Sequence, residues 1–198
     1  MITSTVSIAR CMRVTWKDLY ELEQQLGIDI RKEAKRRYDK AVAKFGKIRR
    51  DGTEYTLEDQ VWGLYHEFFI CEAMDEHMDF TVLEHGDQCD FTKPLDWDGR
   101  SFTRFEGKGS RRGDELIING YAIGKADAFI LATSGHVGLR LLGWMTAPDV
   151  RTYKQATREG KELKYPCPVE DLRDMAELWQ FIDSGTPLTN IIQQRSTW

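Results

Sequence analysis

The stretch that decides the fold covers residues 86–110 and reads GDQCDFTKPLDWDGRSFTRFEGKGS. Two runs within it, residues 88–95 and 100–108, have the composition of β-strands. The residues between them at 96–99, DWDG, are typical of a hairpin turn. The sequence therefore predicts a β-hairpin here, and the chemistry of the chain is concentrated on it.

Glu106 and Lys108 lie two residues apart on the second strand, and residues two apart in a strand point to the same face. A carboxylate and an ammonium held together in this way suit phosphodiester hydrolysis. Two carboxylates, Asp90 and Glu106, would bind Mg²⁺ through hard oxygen atoms, and Mn²⁺ could substitute for it. The metal would activate a water molecule, and Lys108 would orient that water or stabilise the developing negative charge.

The register of the hairpin decides whether these side chains meet. A strict two-residue turn at Asp98-Gly99 would pair Asp90 with Gly107, and Asp90 would then point away from Glu106. A shift of one residue brings Asp90 beside Glu106 or Lys108. The hypothesis therefore requires a bulge or a longer loop, for which Pro94 is a suitable cause because it cannot donate to the ladder.

Further elements follow from apolar periodicity and capping residues. Helices are predicted at residues 15–26, 29–45, 56–75, 147–159 and 168–182, and strands at 80–83, 116–118, 128–131 and 139–145. This order predicts an α/β fold in which a mixed β-sheet is flanked by helices. Residues 1–55 are assigned to a basic N-terminal helical extension and residues 56–198 to the core. The six tryptophans are assigned to the core.

The chain carries a formal net charge of -4, with 28 Lys and Arg against 32 Asp and Glu, but its charges are unevenly distributed. Residues 31–50 hold ten basic and two acidic side chains, so the local charge is 10 - 2 = +8. Such a block can bind phosphates by counterion release, although a solvated helix face is the alternative interpretation. The residues predicted to contact nucleic acid are Lys35, Arg36, Arg37, Lys40, Lys44 and Lys47, with Arg104, Arg111 and Arg112 beside the catalytic strand.

No apolar run approaches the ~20 residues that cross a bilayer, and the first residues do not resemble a signal peptide. The four cysteines are scattered, which suits reduced thiols. We therefore expect a cytoplasmic protein with no membrane partner. The four histidines lack metal-ligand spacing and are expected to be non-catalytic.

Five segments in order resemble the PD-(D/E)XK, or restriction-endonuclease-like, nucleases, especially their compact phage and bacterial members. The segments are GLYHEF at 63–68, GDQCDF at 86–91, FEGK at 105–108, KADAFI at 125–130 and LGWMT at 142–146. The resemblance covers residues 56–158. Many members have a helix directly after the Glu-x-Lys strand, whereas residues 109–125 read as loop and strand here.

The resemblance implies a Mg²⁺-dependent DNA endonuclease with Asp90, Glu106 and Lys108 at its centre. The Gly107 carbonyl and Glu67 would be further metal ligands, with Glu72 as the rival of Glu67 and Asp87 as the rival of Asp90. Two alternatives stay open. One is an inactive nucleic-acid-binding or assembly protein of the same fold, and the other is a structure-specific junction resolvase. A homodimer and a phage-encoded origin are also left open.

Overall fold

The computed structural model describes residues 8–48, 52–76, 78, 90–93, 103–111, 113–153 and 164–184. Several sequence predictions fall outside these residues, among them the strand at 80–83, the turn at 96–99, residues 154–159 of the predicted helix, and the side chains of Asp87 and Arg112.

Three helices lie in the first part of the chain, as the capping residues predicted. They are α1 (Trp16–Leu26), α2 (Ile30–Phe45) and α3 (Leu57–Ala73). Thr15 and Thr56 form capping boxes with the third residue of their helices, and the Asp29 side chain caps α2. Of the described helices, none has the length and apolar character needed to cross a membrane.

A five-stranded sheet forms the centre of the molecule. Its strands are β1 (Arg13–Thr15), β2 (Phe91–Lys93), β3 (Thr103–Ser110), β5 (Ala128–Ser134) and β6 (Gly138–Thr146). Their order is β1-β6-β5-β3-β2, in which β3 and β5 are parallel and the other pairs are antiparallel. A separate two-stranded sheet pairs β4 (Glu115–Asn119) with β7 (Lys164–Pro168). The predicted α/β architecture, a mixed sheet with flanking helices, is confirmed.

The two faces of the five-stranded sheet bury two apolar cores. On one face α1, α3 and α5 (Met175–Ser184) pack against Phe105, Ile130 and Trp144. On the other face Phe129 and Leu131 pack with side chains of β4 and β7. The N-terminal helices contribute to the first core through Leu19, Leu22 and Ile30, and β1 pairs with β6. The described residues of this N-terminal part are therefore built into the sheet and its core.

The prediction of a helix at 147–159 was wrong in extent. Helix α4 covers only Ala147–Val150, and a turn follows it. The amide and the hydroxyl of Thr152 both donate to the Asp149 carbonyl, at 3.0 and 2.7 Å. That carbonyl would have to accept the next helical hydrogen bond, so the local side-chain contact competes with the helix.

The last helix was predicted to begin at Pro168, but α5 begins at Met175. Before it, Arg173 pairs with the backbone of Trp144 in β6 through hydrogen bonds of 2.9 and 3.1 Å, which hold the chain extended. Strand β7 was not predicted because Pro166 and Pro168 argue against a strand. The pairing is tolerated because β7 belongs to a two-stranded sheet and is therefore an edge strand.

Gly138 lies where β6 passes β1, and it has no room for a side chain. A Cβ atom there would lie 1.9 Å from the Val14 carbonyl oxygen and 2.7 Å from Thr15 Cα. Because both are backbone atoms, Gly138→Ala should displace β1 and destabilise the protein by about 1–3 kcal/mol. Thermal unfolding measures this, and Gly135→Ala is the matched control because no atom lies within 4 Å of its Cβ position. Equal melting temperatures for the two variants would contradict the close approach of β1.

Candidate active site

The register of β2 and β3 brings Asp90 opposite Glu106. Phe91 pairs with Phe105 and Lys93 with Thr103, so the residue before Phe91 faces the residue after Phe105. A two-residue turn at Asp98-Gly99 would instead have paired Asp90 with Gly107. The observed pairing is the shift of one residue that the sequence hypothesis required.

The Asp90 carboxylate lies at the edge of β3, just where β2 begins. Its backbone amide donates to the Phe105 carbonyl at 2.9 Å, and its Oδ2 accepts the Gly107 amide at 2.6 Å. In an extended strand the N–H and C=O of one residue point to the same side. The Gly107 carbonyl is therefore directed to the edge where Asp90 lies.

Helix α3 packs closely on β3 because two residues of β3 lack side chains. A Cβ on Gly107 would lie 2.9 Å from Ile70, and one on Gly109 would lie 2.5 Å from the ring of His66. The glycines of the sequence EGKGS thus let the helix approach the strand. Glu67 follows His66 on α3, and its charge acts on both Asp90 and Lys108. This proximity favours Glu67 over Glu72 as the α3 carboxylate of the site.

Lys108 bonds directly to Glu106. The Lys108 ammonium donates to Glu106 Oε1, and both side chains are largely buried, with 28% and 17% of their surface exposed. Burial alone would lower the pKa of Lys108, but the Glu106, Asp90 and Glu67 carboxylates together raise it above its ordinary value. The ammonium therefore keeps its charge at neutral pH.

Asp90 experiences the opposite balance. Burial raises its pKa, and the neighbouring Glu67 and Glu106 carboxylates raise it further. The Lys108 ammonium and the hydrogen bond from the Gly107 amide lower it, but the net result is a pKa well above the ordinary value. The negative charges of Glu67 and Glu106 thus act against ionisation of Asp90, and a cation bound beside Asp90 would offset that effect.

The donor chemistry of the cluster fits a hard divalent cation, because Asp90, Glu106 and Glu67 all offer carboxylate oxygens. Among the described residues, however, no group of three or more His, Cys, Asp or Glu side chains is arranged to hold a metal ion. Two basic side chains of the protein already pair with these carboxylates. Lys108 bonds to Glu106, and Arg37 lies 3.5 Å from Glu67. A metal would therefore compete with these ion pairs for the carboxylate oxygens.

Arg37 was predicted to contact nucleic acid, and its side chain extends from α2 towards Glu67 of α3. Only 13% of its side chain is exposed, and it contacts Glu33 at 3.2 Å as well as Glu67. Arg36 also bonds to Glu33, at 2.6 Å, and Lys35 bonds to Asp39 at 2.6 Å. Both acids counted in the +8 block, Glu33 and Asp39, thus pair with its basic side chains, and Glu67 of α3 adds a negative charge beside Arg37. Lys40, Lys44 and Lys47 are exposed at the C-terminal end of α2 and beyond it.

The two described arginines near β3 differ in their surroundings. Arg104 is held by Asp127 through two side-chain hydrogen bonds of 2.8 and 3.0 Å, so it serves as a structural contact. Asp127 also accepts the Arg104 amide at 2.9 Å. Arg111 is half-exposed and lies over the ring of Trp62, 5.6 Å from its centre.

His66 is buried behind the site. Its Nδ1 lies 2.6 Å from the Trp62 carbonyl, and its Nε2 is buried without a hydrogen-bond partner among the described residues. Burial lowers its pKa, so the ring is neutral. The ring packs on Gly109 of β3.

In comparisons with known proteins, no family model, curated protein or solved structure matches the chain.

Proposed function

We propose that this protein is a Mg²⁺-dependent nuclease that hydrolyses phosphodiester bonds of DNA, with a restriction-endonuclease-like core. The observation that carries the proposal is the position of Asp90. Its carboxylate accepts the Gly107 amide at the start of β2, opposite Glu106 and within the electrostatic reach of Glu67 and Lys108. Four residues from three separate elements thus form one charged cluster at the edge of a sheet.

Each residue has a role in the proposed reaction. Asp90 and Glu106 hold the metal, with the Gly107 carbonyl and Glu67 as further ligands. When bound, the metal lowers the pKa of a water molecule and neutralises charge at the scissile phosphate. Lys108 orients the attacking water or stabilises the negative charge that develops on the phosphate oxygens. Arg37 holds Glu67 against the site, so it acts as a positioning residue.

DNA is the proposed partner because Lys40, Lys44 and Lys47 are exposed at the C-terminal end of α2 and just beyond it. The attraction of such lysines to phosphates does not depend on base sequence. The same cluster would serve a junction resolvase, which we keep as a second candidate together with a homodimer. An inactive binding protein is disfavoured because a protein without activity has no need of both carboxylates and the lysine. A cytoplasmic location is part of the proposal.

Cleavage should require a divalent metal, since the cluster offers carboxylate oxygens as ligands. The test incubates the protein with supercoiled plasmid, linear duplex, single strands and a four-way junction, each with Mg²⁺, Mn²⁺ or EDTA. We expect products with both metals and none with EDTA. Undiminished cleavage in excess EDTA would disprove the metal requirement, and a preference for the junction would favour the resolvase.

A further inference from the structure

A second candidate site lies on α3, towards its N-terminal end. Here a groove of about 1000 Å³ runs between α1 and the first turns of α2 and α3. Its lining includes the aromatic side chains Trp16, Tyr20, Trp62 and Tyr65. Trp16 and Trp62 are only partly buried, and Trp16 also packs against the first core.

The aromatic rings of the groove form a connected set. Trp16 and Tyr20 are four residues apart on α1, so they share a helix face, and their rings are inclined by only 27°. Trp62 meets Trp16 edge to face at a centroid distance of 5.2 Å. Tyr65 forms the floor, because it is buried and its hydroxyl donates to Glu23. Tyr20 is 41% exposed, so its ring is accessible from the groove.

The charges around these rings are mainly positive. Arg31, Lys32 and Lys35 line the groove from α2. The acidic residues of the lining are Asp29 and Glu58, and both are engaged within the protein. Asp29 accepts the Lys32 amide at 2.9 Å, and Glu58 accepts the Trp62 indole N–H at 3.1 Å. Lys35 is paired with Asp39 at 2.6 Å, so Arg31 and Lys32 are the cations that would meet a negatively charged ligand whose uncharged parts contact the rings.

Arg111 connects the groove to the candidate active site. It lies over the Trp62 ring and directly follows β3, three residues after Lys108. At about 3.3 Å per strand residue, the backbone distance from Lys108 to Arg111 is about 10 Å. A ligand in the groove would therefore lie a few nucleotide lengths from the proposed catalytic lysine.

We propose that this groove binds an unpaired nucleic-acid strand, stacking its bases on the aromatic rings while the α2 cations contact its phosphates. Aromatic rings with cations beside them are the combination that binds single strands without regard to sequence. A duplex keeps its base faces stacked inside the helix, so it would gain nothing from the rings. The binding site stands on its own residues, whereas its use in presenting substrate rests on the proposed nuclease function.

The test measures binding of labelled oligothymidylate, oligouridylate and a duplex. The buffer contains EDTA, so the readout is binding alone and does not depend on cleavage. Tyr20→Ala should weaken single-strand binding by about 5-fold or more, because it removes a stacking surface. Tyr20→Phe should keep the affinity. Tyr121→Ala is the control, because Tyr121 is 56% exposed but lies outside the groove. Lys32→Ala should reduce the salt slope by about 0.7, and Lys17→Ala should not, because Lys17 is exposed on α1 but does not line the groove.

Three outcomes would overturn the proposal: no binding of either single strand, preference for the duplex, or equal losses for Tyr20→Ala and Tyr121→Ala. A preference between oligothymidylate and oligouridylate would support it and identify the strand as DNA or RNA. If the wild-type protein binds single strands but cleaves no substrate, the nuclease function alone is rejected. If it cleaves but does not bind single strands in the groove, the groove proposal alone is rejected.

Discussion

Glu106→Gln is expected to abolish detectable cleavage while the protein stays folded. The substitution keeps the shape of the side chain but removes the charge that would hold the metal. Metal-based stabilisation of the transition state contributes several kcal/mol, so the rate should fall by a factor on the order of 10³. Glu106 is only 17% exposed and bonds to Lys108, so the melting temperature must be measured with the rate.

Glu21→Gln provides the matched control for this loss. Glu21 also pairs with a lysine, Lys17, at 3.6 Å, but on the surface of α1 and outside the charged cluster. Its substitution should leave cleavage unchanged, because an exposed pair of this kind contributes only about 0.2–1 kcal/mol. A folded Glu106→Gln protein that cleaves at the wild-type rate would remove Glu106 from the mechanism.

The relative placement of Asp90, Glu106 and Lys108 could be predicted because it follows from local rules. Glu106 and Lys108 had to share a strand face, and the spacing showed that Asp90 needed a shifted register to join them. The register of the structure supplies that shift. The two glycines beside them explain how α3 comes close enough for Glu67, but their role depends on the Ile70 and His66 side chains that they meet. Sequence spacing alone does not contain that contact.

The features that the sequence did not predict depend on contacts between distant parts of the chain. Arg37 was assigned to DNA because it belongs to a basic run, yet it is turned towards Glu67, thirty residues away. Arg104 was assigned to DNA as well, and Asp127 holds it. Strand β7 contains two prolines, so its existence depends on β4 as a partner. The tryptophans of the groove were missed because helical periodicity does not show which elements leave a ring uncovered.

Lys108→Met is expected to reduce cleavage by about 10²-fold, the usual effect of removing one donor that stabilises transition-state charge. Methionine keeps much of the length of the buried side chain and removes the ammonium. The Glu106 carboxylate then loses its internal partner, so the metal meets less competition, and the metal concentration for half-maximal activity should stay the same or fall. Cleavage rates across a Mg²⁺ titration measure both effects, and Lys17→Met serves as the control.

If the lysine were only a counterion for Glu106, saturating Mg²⁺ would replace it and restore the wild-type rate. A rate deficit that persists at saturating metal identifies Lys108 as part of the reaction itself.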